Sequence, residues 1–235
     1  MSRSIEELMN VDDPFTPDFV HRVATAKNDI LVLPSEPATG REVLHRLQVS
    51  ARSSASGTIL SGGGMVVDHG WIRVFGAGTP LLPDMATASG FPLEPGEEPP
   101  AVPGLFLAID VLGGQFAIDS GLLAGSPGEL CYWAPDDLQW TPFGLGQAQF
   151  LTWLCEGDLD GFYSDYRWDG WQDEVEALPL DQGISFFPFA FTKEFDLATA
   201  TRSVTPIAEL VSLHTQMAES TNALSLPLPW PALPA

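Results

Sequence analysis

The chain has 235 residues, 45% of them hydrophobic, which is enough for one large domain whose core needs no disulfide or metal to hold it. Its 10 basic side chains stand against 31 acidic ones, and the formal charge of −21 repels phosphate backbones and anionic membrane surfaces, so neither nucleic acid nor membrane is an expected partner. Cys131 and Cys155 form no CxxC pair, the first residues lack the apolar stretch of a secretory signal, and no apolar run reaches the roughly 20 residues that span a bilayer; a cytoplasmic protein with buried, reduced thiols is expected.

Ser4-Ile5-Glu6-Glu7 has the spacing of a capping box and predicts a short helix to about Met9. Asp13-Pro14 offers a cap and a first-turn proline to a second helix reaching about Lys27, with Phe15, Phe19, Val20, Val23 and Ala24 as its buried stripe. Residues 30–33 read as a strand, and Val43, Leu44 and Leu47 mark a third helix with Thr39 as its N-cap. Four short strands are then expected at 47–51, 58–60, 65–67 and 71–75, an antiparallel meander in which Ser61-Gly62-Gly63-Gly64 is a hairpin connection. The prolines of 80–103 exclude regular sheet there and predict a surface excursion with one helical turn near 84–88.

Residues 104–154 form the centre of the pattern. Apolar strands at 105–109 and 115–119 flank the reversal at Gly113-Gly114, and a third strand at 129–133 ends at Ala134-Pro135-Asp136-Asp137. Beyond Gly146, the residues Phe150, Leu151, Trp153 and Leu154 give a helix one apolar face. Short helices are expected near 157–163, with Leu159, Phe162 and Tyr163 inward, and at 172–178. A strand at 184–189 closes on Pro188 at a sheet edge, and Thr205-Pro206 opens a last helix carrying Ile207, Leu210, Val211 and His214 on one stripe. The expected fold is α+β: an antiparallel sheet, or one mixed in part, covered by helices. Residues 1–220 form one domain and 221–235 an extended Leu/Pro-rich tail.

Chemistry is sparse in this pattern. Asp68-His69 is the one catalytic candidate, since a carboxylate beside an imidazole suits a general base, but neighbours in a strand point to opposite faces and only a turn would join them. A structural turn is the favoured reading. No nucleophile motif accompanies the pair, and Gly62-Gly63-Gly64 lacks the Lys-Ser/Thr of a phosphate loop. Asp136, Asp137, Asp158, Asp160, Asp165 and Asp169 are out of register for a calcium loop and read as helix starts and solvated surface, so no metal and no cofactor is expected. Trp71, Trp133, Trp140, Trp168 and Trp171 are the candidate binding residues, because aromatic rings bring contact area at low entropic cost; core packing is the competing use.

Several motifs together carry a resemblance: Asp68-His69-Gly70-Trp71, Gly113-Gly114-Gln115-Phe116-Ala117, the run from Pro127-Gly128-Glu129-Leu130-Cys131-Tyr132-Trp133 to Asp136, Trp140, and Arg167-Trp168 with Gly170-Trp171. In these the chain resembles the bacterial domain of unknown function 2625 family from Ile5 to about Gln216, which implies no activity. The order strand, Gly-Gly turn, strand, loop, Tyr-Trp strand and Phe-Leu-Trp-Leu helix is also similar in pattern to the Smi1/Knr4-type (SUKH) superfamily, whose bacterial members include immunity proteins that neutralise toxins. That likeness, with the −21 charge, implies a non-enzymatic binding protein for a basic toxin or other basic protein; the alternative is a small-ligand enzyme or hydrolase using His69 with Asp68.

Overall fold

Alternating apolar residues in the middle of the chain become a sheet whose spatial order repeats the chain order. A computed structural model describes residues 2–92, 101–221 and 226–231. Its main sheet runs β1 (Ile30–Leu33), β2 (Gly64–Val67), β3 (Ile72–Phe75), β4 (Gly104–Asp110), β5 (Gln115–Asp119), β6 (Glu129–Ala134) and β7 (Gln139–Gly146), every neighbour antiparallel. Directly opposed residues share a face, so the register defines two rows. Met65, Val74, Ala108, Phe116, Tyr132 and Thr141 form one; Val66, Arg73, Ile109, Gln115, Trp133 and Trp140 form the other.

The first row is covered by α4 (Ser54–Ser61) and α6 (Gln147–Glu156), which contact β2, β3, β6 and β7. Phe150, Leu151 and Leu154 of α6 meet Met65, Val74 and Leu107 there, leaving a gap of only about 20 Å³. Outside this layer lie α2 (Thr16–Ala24) and α3 (Pro37–Leu47), both packed on α4, and α1 (Ile5–Met9) with its capping box intact: the Glu7 N–H donates to Ser4 Oγ at 3.2 Å and the Ser4 N–H to Glu7 Oε2 at 2.7 Å. The second row meets α9 (Ile207–Ser220), whose His214 ring lies 5.4 Å from that of Trp133, and the tail. There the buried Gln115 amide both donates to the Leu228 carbonyl (2.8 Å) and accepts from the Leu228 N–H (2.6 Å), as a paired strand would. Trp140 Nε1 donates to the Leu226 carbonyl at 2.9 Å, and Trp230 packs on Phe75.

The remaining elements close one end of the sheet: α7 (Leu159–Phe162), a 3-10 turn (Ser164–Tyr166), α8 (Trp171–Glu176) and the two-stranded sheet β8 (Gln182–Phe187) with β9 (Thr201–Pro206). The chain is thus an α+β fold with an antiparallel sheet. Cys131 and Cys155 are buried free thiols.

Several local expectations fail for identifiable reasons. The β-branched Thr58 and Ile59 suggest a strand, yet 58–60 lies within α4, which starts at Ser53, whose hydroxyl accepts from the Ala55 N–H, and is held between α2, α3 and the sheet. Residues 47–51 are the end of α3 and a loop, the helix closing with Gln48 in the left-handed region. Gly62–Gly64 joins a helix to a strand, not two strands; a Cβ on Gly62 would collide with the Leu33 carbonyl, so the run serves close backbone approach. The second helix begins at Thr16, with Pro17 in its first turn, and ends at Ala24; Val20 is 54% exposed. The third helix starts at Pro37, with Glu36 at the N-cap position in place of Thr39.

The turn α5 (Met85–Ala88) lies where expected, but it is not a surface excursion: Leu82, Met85 and Ala86 are buried, and Arg46 donates to both Asp84 oxygens at 3.0 Å. The rest of the proline-rich segment, 93–100, lies outside the described residues, as do 222–225 and 232–235 of the tail. Strands β7 and β9 were not expected: Pro142, Gly144 and Gly146 interrupt the first, and the second, TRSVTP, is almost entirely solvent-facing.

Candidate functional site

Strand β4 is apolar until Asp110, which is fully buried. Its Oδ1 accepts from the N–H groups of Leu112 (2.9 Å) and Gly114 (2.8 Å), fixing the β4–β5 turn, and its Oδ2 accepts from the hydroxyls of Tyr132 (2.7 Å) and Tyr163 (3.1 Å). Burial raises the carboxyl above its ordinary range, opposed by those four donors, and the same burial raises both phenols well above theirs. Both phenolic protons point at one oxygen. Each tyrosine oxygen therefore turns only lone pairs to its surroundings.

The other walls are drawn in by backbone contacts. The Ile184 N–H donates to the Val111 carbonyl at 2.8 Å, and Arg73, buried beneath the sheet, donates to the carbonyls of Leu180 and Gln182, so β8 is pinned against the end of β4. Burial pushes the Arg73 guanidinium down to about 10, with Asp110 and Asp181 favouring its charge. Tyr166 donates to Asp136 Oδ2 at 2.7 Å, tying the 3-10 turn to the end of β6. Between these elements lies a cavity of about 320 Å³, lined by Leu112, Tyr132, Asp136, Phe162, Tyr163, Asp165, Tyr166, Ile184, Phe186, Phe189, Phe191 and Leu210, among others. No lysine or arginine lines it. Its volume lies within the range typical of small-molecule sites.

His214 of α9 also lines this cavity. Gly113, at φ +85°, turns the chain directly beneath its ring, and a Cβ there would stand 3.0 Å from His214 Cε1, so the position needs glycine both for the turn and for the approach. Burial alone pushes the imidazole down to about 4, and its Nδ1 has no hydrogen-bond partner among the described residues. The ring is neutral at pH 7.

The candidates read from the sequence lie elsewhere. Asp68 and His69 both occupy the left-handed region of a tight turn between β2 and β3. The Asp68 carboxylate is paired with Arg167, and burial raises it against that cation; His69 is half-buried, with Nδ1 3.7 Å from Glu176 Oε2 and its ring edge-on to Trp171. No hydrogen bond joins Asp68 to His69 among the described residues, and neither lines the cavity. Trp71, Trp133, Trp140, Trp168 and Trp171 are all buried, and none of them lines the cavity either. Three of them build a cage: Trp71 contacts Trp168, Trp171 and Tyr163. The Arg167 guanidinium lies 4.0 Å from the Trp171 ring centre and 4.9 Å from that of Trp71.

Above this cage the surface is acidic. Eight acidic residues fall between Glu156 and Glu176, all exposed, while Arg167, the only base in that stretch, has a side chain 6% exposed and spends its charge inward on Asp68 and sideways on Asp160. Tyr132, Tyr163, Tyr166, Asp110 and His214 escape a reading of motifs because they come together only in space. Asp110 has the one local signal, a carboxylate closing an otherwise apolar strand that can be buried only if it is hydrogen-bonded. Among the described residues no three or more His, Cys, Asp or Glu side chains are grouped to hold a metal ion, and no helix is long and apolar enough to cross a membrane.

Comparison with known proteins gives a consistent result. The model of the protein of unknown function DUF2625 family matches residues 5–210. The uncharacterized protein YbfG of Escherichia coli strain K12 is 32% identical over 219 residues, covering 93% of this chain and 98% of its own. An uncharacterized protein of Haemophilus influenzae is 31% identical over 170 residues, covering 71% of this chain and 73% of its own. No solved structure matches the chain significantly. With the family model covering most of its length, the chain belongs to the DUF2625 family of proteins of unknown function.

Proposed function

We propose that this is a non-enzymatic binding protein that engages a basic protein partner, in the manner of an immunity protein against a basic toxin. The observation that carries the proposal is the acidic stretch from Glu156 to Glu176, whose single arginine is withdrawn into an aromatic cage and in which, among the described residues, only Asp160 and Glu174 are paired with an arginine. A whole-chain charge of −21 adds a long-range field that draws a cationic protein in before contact. The engagement of Asp68 by Arg167, and not by His69, also favours binding over acid–base catalysis at that dipeptide. The pattern likeness of 104–154 to SUKH-type proteins motivates the immunity-like role.

The test is capture from the lysate of the source cell at low salt. It compares the full chain with a variant in which Asp165, Asp169, Asp173 and Glu176 are changed to their amides. A basic protein held by the first and lost by the second is expected, and its association rate should fall as the Debye length shrinks from roughly 30 Å at 0.01 M to about 8 Å at 0.15 M salt. Equal capture by both chains, or a rate flat across the salt series, would overturn the proposal.

A further inference from the structure

The cavity beside the acidic stretch calls for a different ligand from the surface, and nothing about it depends on a protein partner. Its polar lining is one-sided. The hydroxyl protons of Tyr132 and Tyr163 are committed to the buried Asp110 and that of Tyr166 to Asp136, so none of these three lining tyrosines has a free O–H to offer a ligand. Asp136 and Asp165 add carboxylate oxygens, and no cationic side chain answers them. The only other polar side chains are the Thr141 and Ser185 hydroxyls, which take either role, and His214, buried to 7% exposure with its Nδ1 unpartnered. Apolar contact comes from rings: Phe162, Phe186, Phe189 and Phe191, of which the last two stack 5.4 Å apart at 12°.

Ring faces carry negative potential and attract a cation, and a lining with two carboxylates, no cationic side chain and its phenol protons already engaged disfavours a carboxylate or phosphate ligand. We propose that the cavity enclosed by Tyr132, Tyr163, Tyr166, Asp136, Asp165 and His214 is a binding site for a small organic cation, a primary or secondary ammonium carried on an aromatic or branched apolar body. The ammonium N–H groups donate to the Asp136, Asp165 and Tyr166 oxygens, and the apolar body lies among the phenylalanine rings. The cavity volume of about 320 Å³ holds such a molecule and excludes a folded protein loop.

Three probes of one shape and different charge test this: phenethylammonium, 3-phenylpropanol and 3-phenylpropionate, titrated into the full chain at pH 7 by calorimetry, with backbone amide shifts recorded in parallel. Saturable binding of the cation is expected, about tenfold tighter than the alcohol, with no saturable binding of the carboxylate. The shifts should centre on Gly113 and Ser185. Asp165 is exposed, so D165N leaves the fold intact, and D165N combined with D136N should weaken the cation at least about tenfold while leaving the alcohol unchanged. Equal affinity for cation and alcohol, preference for the carboxylate, shifts centred away from the cavity, or a double variant that binds the cation as well as the parent would each overturn the assignment.

Discussion

Two ends of the β4–β6 region have been put to opposite uses. Where α4 and α6 lie on the sheet, Met65, Val74, Leu107, Phe150 and Leu154 close the interface to a gap of about 20 Å³, with apolar side chains doing the packing. A few residues along the same strands, beyond the β4–β5 turn, Asp110, Tyr132, Tyr163 and His214 bring in a buried carboxylate, two phenols and an unpartnered imidazole, and the packing opens to about 320 Å³. Well-packed apolar interfaces leave no room and gain stability; a polar, partly empty end forgoes some stability and keeps a place for something else. The contrast marks the open end as the place where packing was not completed.

Three measurements put the difference between the closed and open ends at risk. The largest effect belongs to the packed side: Phe116 is fully buried and touches Tyr132, Phe150 and Trp153, so Phe116→Ala is expected to destabilise by about 3 to 5 kcal/mol in chemical denaturation. An unchanged midpoint would mean that the face beneath α6 is not core. Next comes the His214 imidazole at the open end. Its folded pKa of about 4 lies below the ordinary 6.5, so between these values the unfolded chain binds more protons than the folded one, and stability falls as pH drops through that window and levels below it. The span corresponds to about 3 kcal/mol. His214→Leu should therefore flatten the stability profile between pH 6.5 and 4 relative to the parent, and parallel profiles would sink the reading. The smallest effect is expected at Phe189, a half-buried cavity wall: Phe189→Ala only widens an existing space and should cost about 1 kcal/mol or less. A loss as large as that at Phe116 would show the open end to be as tightly packed as the closed one.

What the chain reveals unaided follows the same division. Strands β3 to β6, the capping box at Ser4 and the helix after Gly146 are legible because each is written in neighbouring residues, as period, cap or paired glycine. Helix α4 is not, since Thr58 and Ile59 favour extended chain and only their burial against α2 and the sheet decides for a helix. The cavity is legible only through Asp110, which does not line it but anchors two of its tyrosines. Its polar lining, from Tyr132 and Asp136 to Tyr166 and His214, is spread over several elements and loops, and nothing in the local sequence says that these residues meet. The tryptophans mislead for the complementary reason: aromatic content marks both grooves and cores, and here Trp71 and Trp171 hold the Arg167 guanidinium while Trp168 packs on Trp71.

The unbroken strand order of the main sheet bears on how the chain reaches this state. Each strand pairs with the one made just before it, so most of the sheet closes through short loops and little chain entropy stands in the way of growth from a hairpin outward. The clasp between Gln115 and Leu228 is the exception, joining positions 113 residues apart. Until the tail arrives, a buried amide on β5 has only water for a partner. The resulting hypothesis is kinetic: pulse-labelled refolding should protect the amides of β4 to β6 in an early phase and that of Leu228 in a later one, and simultaneous protection would refute it. The tail then acts as a latch, set after the sheet is built, and its docking reports that the second face of the sheet has closed.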